Sequence, residues 1–422
     1  MTEIFKPADI LLPKKKYDMT RWSVIACDQY TSDPEYWADV KRIVSDSPSA
    51  FNLILPEVYL GTEEEKNILG HIKEKSLEYM NEDVFDEYKD SFIYVRRVDS
   101  TGRVRDGIVG AIDLEAYDYS KGSKSPVRAT EETVAERIPP RVKIRENAVF
   151  ELPHIMILID DLDKKVIESL NDRKDSFEKV YDFKLMKGGG SIAGWVVDDT
   201  SKNVIQKALE ELKAKAKEVN KDENPLVFAM GDGNHSLATA KAHYENLKKK
   251  DPTGERTKLA RYALAEIVNL HCDALEFEAI HRIVEDVDTE NLMAFLKEKL
   301  GLQPTTYSTY EENAQVIFAS TKDAEATYRI TKPCHSLAVG SLQMALDEYL
   351  SSHNGKIDYI HGKSETIRLS KKENAIAFVL PDMKKEELFP AIMKGGVLPR
   401  KTFSMGHAED KRYYLEARRI NN

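Results

Sequence analysis

Apolar residues in this chain fall into two kinds of run, and the two kinds alternate along the sequence. Short continuous runs at 155–159, 226–230 and 262–270 have the length and composition of buried strands. Longer segments at 62–83 and 200–219 repeat apolar residues at helical spacing, which predicts amphipathic helices. Strands that alternate with helices predict an α/β class of mixed α+β order, with mixed sheets flanked by helices.

Further patterns predict local structure outside these runs. Residues 92–98 and 104–114 are apolar and flank a polar turn that contains glycine, so they predict a β-hairpin. Residues 289–300 have helical spacing and predict another helix. Residues 51–55 are a short apolar run and predict another buried strand.

The segment 226–250 joins a buried strand to a helix through an aspartate flanked by glycines. Gly231, Asp232 and Gly233 interrupt regular structure, and residues 237–250 then resume it as a helix. The first N–H groups of a helix have no partner within the helix, and they lie at the positive end of its dipole. The segment therefore predicts a place that attracts anions.

Four polar side chains on this turn would surround such an anion: Asp232, Asn234, His235 and Ser236. They offer a carboxylate, an amide, an imidazole and a hydroxyl. We interpret the turn as a phosphate-handling active site. An ordinary strand-to-helix turn with a capped helix accounts for the same residues equally well.

A second dense region at 125–161 mixes cations with acids. Its members are the arginines Arg128, Arg137, Arg141 and Arg145 and the acids Glu131, Glu132 and Glu136. The arginine guanidinium suits bidentate hydrogen bonding to phosphate or carboxylate, so the region is a second candidate for anion binding. The charge pattern alone favours the other interpretation, a solvated face on which the charges neutralise one another.

The remaining candidate residues lie in three other stretches of the chain. His281 and Arg282 lie on a strand-like run and could present an imidazole and a guanidinium to an anion, or form an exposed pair. Lys401 lies in a closing run, 395–404, that has no helical period and is typical of a binding loop. Near the start, residues 27–30 end a strand and form either a site wall or a polar loop.

Charge and cysteine content limit the possible functions and the compartment. The net charge is −10, with 62 basic and 72 acidic residues, which argues against general nucleic-acid binding. The cysteines are Cys27, Cys272 and Cys334, with no CxxC pair, which argues against disulfides and structural zinc. No apolar run has the length of a membrane span or signal peptide. We expect a cytoplasmic protein that needs no membrane, and no metal-binding cluster is predicted.

The length of 422 residues predicts two or three domains. We divide the chain at 1–120, 121–285 and 286–422, with the turn at Asp232 in the central domain. No linker rich in proline or glycine separates these segments, so the domains can interleave along the chain.

An ordered series of motifs resembles a bacterial and archaeal family known as domain of unknown function 1015. The motifs are FKPADILLP, ACDQYTSD, the block from Arg128 to Arg145, MGDGNHS, AIHR, DYIHG and GGVLPRKTFS. The resemblance spans nearly the whole chain. Where that family often has Asp-Gly-His-His-Arg, this chain has Asp232 to Ser236, so a serine replaces the arginine. Its closing loop has Lys401-Thr402-Phe403 where the family has lysine-serine-threonine.

The aspartate–glycine turn is also similar, more distantly, to loops in sulfiredoxins, ParB-like domains and archaeal free-serine kinases. In those groups the turn lies between a strand and a helix and holds nucleotide phosphates. The resemblance implies a nucleotide-binding turn of ParB/sulfiredoxin type at the centre of the fold. A shared scaffold does not fix the reaction.

The favoured hypothesis is a kinase of a small hydroxyl metabolite, with free L-serine as the first candidate and Mg²⁺ with ATP or ADP as co-substrate. Gly233, Asn234, His235 and Ser236 would hold phosphate, with His235 and an acid, Glu131 or Asp232, in the catalytic roles. The remaining cations would offset the spreading negative charge: Arg137, Arg141, His281, Arg282 and Lys401.

Three other functions are alternatives to this hypothesis. The serine at position 236 favours a nucleotide-binding regulator without turnover. A DNA-associated ParB-like switch lacks support, because the chain has neither a basic stripe nor a helix-turn-helix signal. Sulfiredoxin chemistry needs a cysteine on the phosphate loop, and this loop has none. The sequence predicts no oligomeric state.

Overall fold

The computed structural model describes residues 3–133, 135–146, 148–251, 253–254, 257–306 and 314–421. Unit 1 is a compact body made of Met1–Ala129, Thr133–Leu275 and His407–Asn422. Unit 2 is made of Thr130–Glu132 and Glu276–Gly406. A compact body need not be an independent domain, so the three-part division at residues 120 and 285 stays a prediction.

The α-helices of the described residues are, in chain order, α1 Met19–Trp22, α2 Pro34–Val44, α3 Glu64–Asn81, α4 Ile138–Glu146, α5 Asp199–Asn220, α6 Asn234–Lys250, α7 Thr257–Ala260, α8 Thr289–Leu300, α9 Ala338–Leu350, α10 Lys363–Leu369 and α11 Leu388–Gly395.

The strands are β1 Phe5–Lys6, β2 Ala8–Pro13, β3 Val24–Ile25, β4 Phe85–Ser91, β5 Ile93–Val98, β6 Val104–Asp113, β7 Tyr117–Asp118, β8 Val127–Arg128, β9 Phe150–Glu151, β10 Met156–Ile159, β11 Glu178–Lys184, β12 Ser191–Val196, β13 Phe228–Asp232, β14 Tyr262–Asn269, β15 Phe277–Glu285, β16 Gln303–Pro304, β17 Val316–Ser320, β18 Glu325–Arg329, β19 Lys356–His361, β20 Ile376–Val379, β21 Phe403–Met405, β22 Tyr413–Tyr414 and β23 Arg418–Arg419.

The main sheet of unit 1 is mixed and has the strand order β11-β12-β5-β6-β14-β10-β13-β8-β7, with β1 paired to β6. Strands β5 and β6 form the predicted antiparallel hairpin. At its centre, β10 runs parallel to β14 and antiparallel to β13. The aspartate–glycine turn begins at the end of β13, a strand that is paired on both sides, with β10 and β8.

Both faces of this sheet are covered, which explains why its inner strands β10 and β14 are apolar at nearly every position. On β6, Ile108 and Ile112 pack into one hydrophobic cluster, and Val109 and Ala111 pack into another. Successive side chains of a strand point to opposite faces, so the two clusters are the two layers on either side of the sheet. Strands buried on both faces appear as continuous apolar runs.

Unit 2 has a sheet and helices of its own. Its sheet has the order β16-β18-β17-β20-β15-β19, with β21 paired to β15. Apolar side chains of α8 and α9, including Leu296 and Leu346, pack with Ile376 and Phe378 of β20 in one buried cluster. Unit 2 thus has a hydrophobic core within its own residues.

The predicted fold class is confirmed, because the protein combines a mixed sheet in unit 1 and an antiparallel sheet in unit 2 with flanking helices. The predicted helix at 289–300 is confirmed with the same bounds. The predicted strand at 51–55 is wrong, since Ala50–Leu53 is a 3-10 helix. The Ser49 hydroxyl accepts from the Phe51 N–H at 3.1 Å and starts this tight turn, which buries apolar residues without a strand.

None of the helices in the described ranges is long and apolar enough to span a lipid bilayer.

Candidate functional site

Gly233 alone links the central strand to the central helix. Strand β13 ends at Asp232 and α6 begins at Asn234, so Asn234, His235 and Ser236 form the first turn of the helix. The sequence had placed these three side chains on the turn and the helix start at residue 237, which is wrong. The N-cap glycine extends the helix by one turn toward the strand.

The conformation of Gly233 explains why a glycine is needed there. Its φ of 78° and ψ of 28° lie in the left-handed region, which disfavours other residues. A Cβ atom at Gly233 would lie 3.1 Å from the Ile155 Cα, so the backbones of the turn and of the segment before β10 approach closely. The Gly233 N–H donates to the Asp232 carboxylate at 2.9 Å.

The start of α6 has the features of an anion-binding helix end. Gly233 has no side chain with which to cap the helix, and α6 continues for 17 residues, through Lys250. The side chains of Asn234, His235 and Ser236 are half-buried at this end. The helix dipole and the N–H groups of the first turn favour a negative group here.

A lysine from the C-terminal part of unit 1 lies beside the turn. The Lys411 ammonium is 3.3 Å from the Asp232 carboxylate, and the two side chains are only 14% and 20% exposed. An ion pair this sheltered is screened less by solvent than one on the open surface. The turn therefore contains a cation and a carboxylate in direct contact.

A histidine–carboxylate pair lies next to the same turn. The His154 ring approaches the position of a Gly233 Cβ to 3.5 Å, and its Nε2 is 3.6 Å from the Asp28 carboxylate. The His154 Nδ1 is 2.7 Å from the Tyr414 hydroxyl, which also accepts the Cys27 N–H at 3.3 Å. We assign the tyrosine proton to the bond with Nδ1, so the Nε2 proton faces Asp28.

These contacts determine the charge state of Asp28. Burial by itself would raise its pKa. His154, the Gln29 side-chain amide at 3.0 Å and Lys411 favour the carboxylate and together hold the pKa of Asp28 below its ordinary value. Burial raises the pKa of the neighbouring Cys27 thiol to about 12, so that thiol stays protonated. The site thus has an ionised carboxylate and no reactive thiolate.

The strand register brings these groups together. Asp232 of β13 lies opposite Met156 of β10, and Met156 lies opposite Glu266 of β14. A register shift lies between Met156 and Ile157, and the backbone of Ile155, just before β10, lies beside the Gly233 turn. His154 precedes Met156 by two residues, and so reaches the turn.

The sequence-predicted site residues are divided between the two units. Unit 1 contains Asp232, Gly233, Asn234, His235, Ser236, Arg137 and Arg141, and unit 2 contains Glu131, His281, Arg282 and Lys401. The Arg137 side chain lies outside the described residues. The Arg141 guanidinium is paired with the Glu57 carboxylate in unit 1.

Within unit 2, Arg282 holds the closing loop. Its guanidinium is fully buried and donates to the carbonyls of Lys401 at 2.8 Å and Arg400 at 3.1 Å, and to the Gln343 side chain at 3.1 Å. Glu131 forms a parallel β-bridge with Leu398 of the same loop. These contacts shape residues 395–404.

His281 is buried beside Arg282 on β15. It accepts the Leu380 N–H at 3.2 Å, and burial lowers its pKa to about 4. The ring is therefore neutral near pH 7. That all the predicted cations meet one phosphate stays a prediction.

Sequence reasoning missed Lys411 and Tyr414 entirely. They lie in a KRYY stretch that has no motif, and only the folded chain brings them to the turn. Asp28 and His154 carried a partial signal, because each follows or precedes an apolar strand. Their proximity to Asp232 depends on the strand order, which the sequence did not reveal.

Comparison with solved structures finds distant similarity only. SbnI of Staphylococcus aureus with a C-terminal truncation is 12% identical with a TM-score of 0.38, covering 71% of this chain and 82% of that one. A free serine kinase variant in complex with AMP is 12% identical with a TM-score of 0.39, covering 76% and 92%. A conserved hypothetical protein from Pyrococcus furiosus is 11% identical with a TM-score of 0.34, covering 72% and 90%. Similarity at this level transfers neither a substrate nor a reaction.

No curated protein sequence matches this chain. A family model described as protein of unknown function (DUF1015) matches residues 6–349, which include the Asp28, His154 and Gly233 segments. Because this match covers most of the sequence, the chain belongs to the DUF1015 family.

Proposed function

We propose that this chain is a nucleotide-dependent phosphotransferase that acts on a small hydroxyl metabolite, with free L-serine as the first acceptor to try. One observation carries the proposal. The strand–glycine–helix turn at Gly233 has an uncapped helix start next to two carboxylates, Asp232 and Asp28, and a sheltered lysine, Lys411.

Phosphoryl transfer requires a phosphate holder, a cation that neutralises charge, and a carboxylate that orients the acceptor hydroxyl. In our proposal the first turn of α6 holds phosphate, and His235 and Ser236 contact it from their side chains. Asp28 and Asp232 supply the hydroxyl-orienting carboxylate and the Mg²⁺ ligand. Carboxylate oxygens are the ligands that Mg²⁺ prefers, so the residues present suit that ion. L-serine is chosen because the turn resembles that of free-serine kinases.

A direct assay of phosphate transfer tests the proposed activity. Purified protein is incubated with Mg²⁺, L-serine and either ATP or ADP, and products are followed by ³¹P NMR. We expect phosphoserine from the wild type and a loss of kcat/KM of at least about a hundredfold in Asp232→Asn. Asp163→Asn is the matched control, because Asp163 pairs with Lys215 on an exposed surface of unit 1.

Absence of product with L-serine would remove that acceptor. Absence of any nucleotide turnover with a panel of hydroxyl metabolites would remove the phosphotransferase.

The second candidate is a nucleotide-binding regulator without turnover. Ser236 favours it, because the position has no guanidinium with which to stabilise a transferring phosphate. Calorimetric titration separates the two. Binding of ADP or ATP to the wild type, together with complete absence of hydrolysis and transfer, would favour the regulator.

A further inference from the structure

Of the cations in the described part of unit 1, Lys411 is the one shown in contact with the Gly233 turn. Its ammonium lies 3.3 Å from the Asp232 carboxylate, and Asp232 directly precedes Gly233. The Arg141 guanidinium is paired with Glu57. Lys411 is therefore placed to meet an anion at the start of α6.

The backbone around Lys411 is fixed to both other segments of the site. The carbonyl of the next residue, Arg412, accepts the Ala26 N–H at 3.1 Å, two residues before Asp28. The Arg412 guanidinium donates to the Pro153 carbonyl at 2.7 Å, one residue before His154. Lys411 is thus held in register with the segments that carry Asp28 and His154.

Arg412 is itself held by buried acids. It donates to Glu266 at 2.8 Å and to Glu416 at 2.6 Å, and all three side chains are buried. Glu266 lies on β14 and is two strands from Asp232 in the sheet. This network fixes the residue after Lys411 to the same sheet that carries the turn.

We propose that Lys411 is a phosphate-binding residue of this site and that Asp232 holds its ammonium in place until an anion arrives. The inference rests on the proposed function where it expects this site to bind a nucleotide. It also predicts that the site binds inorganic pyrophosphate alone. Lys411 lies outside residues 6–349, so the matched family region does not include it.

The pair makes two opposite predictions for metal-free anion binding. Lys411→Met removes a positive charge from the anion site, so the affinity for pyrophosphate should fall by about tenfold or more. Asp232→Asn removes a carboxylate that competes for Lys411 and repels the anion, so the affinity should rise. A purely structural role for the pair would weaken binding in both variants.

The experiment is calorimetric titration of the full chain with pyrophosphate and, separately, ADP, both without metal. The variants are Lys411→Met, Lys411→Arg, Asp232→Asn and the control Lys215→Met. Lys215 pairs with Asp163 at 3.1 Å, a similar ion pair in which both side chains are about half exposed. We expect weaker pyrophosphate binding only in Lys411→Met, stronger binding in Asp232→Asn, and wild-type-like binding in Lys215→Met. Lys411→Arg keeps the charge and should bind within a few-fold of the wild type.

The outcomes separate this inference from the proposed function. Equal pyrophosphate affinity in the wild type and Lys411→Met overturns the role of Lys411, even if ADP binds and is turned over. Pyrophosphate binding that depends on Lys411, without any ADP binding, supports Lys411 and overturns the nucleotide function. Failure of the wild type to bind either ligand overturns both.

Protein stability is checked by the melting temperature of every variant. If Lys411→Met does not fold, Lys411→Arg and Asp232→Asn decide the matter. Retained pyrophosphate binding in Lys411→Arg, together with stronger binding in Asp232→Asn, supports the proposal. Unchanged or weaker pyrophosphate binding in Asp232→Asn overturns it.

Discussion

Gly233 combines two structural demands that only glycine meets. Its φ is positive, and a Cβ there would press on the Ile155 backbone at 3.1 Å. Gly61 also has a positive φ, 76°, but a Cβ there meets nothing within 4 Å. The two glycines therefore separate the cost of the backbone conformation from the cost of crowding.

Alanine substitution at both positions measures this difference. Gly61→Ala should lower the free energy of unfolding by about 1 kcal/mol, the cost of a left-handed conformation. Gly233→Ala should cost at least about 1 kcal/mol more, because the turn and the segment before β10 must move apart. Urea unfolding of both variants checks the prediction, and equal losses would contradict the close approach at Gly233.

His243 of α6 is a buried residue that makes stability depend on pH. The side chain is 1% exposed, and neither ring nitrogen has a hydrogen-bond partner in the described part of the chain. Burial, with the charges of Arg145 and Lys250, lowers its pKa to about 4, although Glu151 opposes the shift. In the unfolded chain the ring binds a proton more readily, so protons favour unfolding between about pH 6.5 and pH 4.

The stability contributed by neutral His243 is present above about pH 6.5 and is lost as the pH falls toward 4. From pH 7 to pH 5 this single group should cost about 2 kcal/mol of unfolding free energy. His243→Leu should remove that part of the pH dependence, whereas His71→Leu on the exposed face of α3 should leave it unchanged. Urea unfolding at both pH values measures the effect. An identical pH dependence in wild type and His243→Leu would contradict it.

The C-terminal segment, residues 407–421, is the element that completes unit 1. Strand β22 pairs with β3 and β23 pairs with β9, so this segment joins parts of the chain that are far apart in sequence. The Trp22 indole N–H donates to the Leu415 carbonyl at 2.9 Å, and Arg412 is bound by two buried carboxylates. We expect its loss to affect the stability of unit 1 as a whole.

Arg412→Met tests the contribution of this segment. It removes a buried cation that Glu266 and Glu416 share, although Glu266 keeps Arg105 at 3.5 Å and Glu416 keeps the Tyr181 hydroxyl at 2.6 Å, so it should cost about 3 kcal/mol of unfolding free energy. Arg368→Met is the control, because it breaks an exposed pair with Glu365 and should cost no more than about 1 kcal/mol. Similar small losses in both variants would mean that the buried network does not hold unit 1 together.

Helices and strands were predicted well from the sequence where a single pattern of apolar residues was clear. Helical spacing of apolar residues gave α8 with its observed bounds, Thr289–Leu300. The start of α6 was predicted three residues late, because polar Asn234, His235 and Ser236 suggested a loop. Periodicity does not distinguish a polar loop from a helix start whose side chains are polar.

The whole molecule consists of two compact units, and one of them is formed by segments from both ends of the chain. Unit 2 is nearly continuous, from Glu276 to Gly406, with its own sheet and buried cluster. The proposed division into three domains and the division into two units make different predictions for fragments.

A fragment of residues 276–406 should fold by itself, because its sheet and its helices α8 and α9 share one hydrophobic core. We expect a cooperative thermal transition in circular dichroism. A fragment of residues 286–406 is the matched comparison, since it lacks β15, which pairs with three other strands, β19, β20 and β21. Cooperative folding of the shorter fragment, or failure of the longer one, would contradict this division.

The candidate site was predictable only in the part that is continuous in sequence. A strand, a glycine and a helix start could be read directly from residues 226–250. Lys411, Asp28 and His154 join Asp232 only because β10 lies between β13 and β14 and because the C-terminal segment returns to unit 1. Pairings between distant segments depend on sheet topology, which single-sequence patterns do not determine.

The most direct test of the central claim observes the Gly233 amide during nucleotide binding. The sequence contains two Asp–Gly pairs, Asp106–Gly107 and Asp232–Gly233. Labelling aspartate with ¹³C at the carbonyl and glycine with ¹⁵N therefore gives two selected NMR signals, with Gly107 of β6 as internal control. Our account predicts that saturating ADP shifts the Gly233 signal and leaves Gly107 in place. If calorimetry shows that ADP binds while Gly233 does not move, or if ADP does not bind at all, the claim that this turn receives a nucleotide phosphate is contradicted.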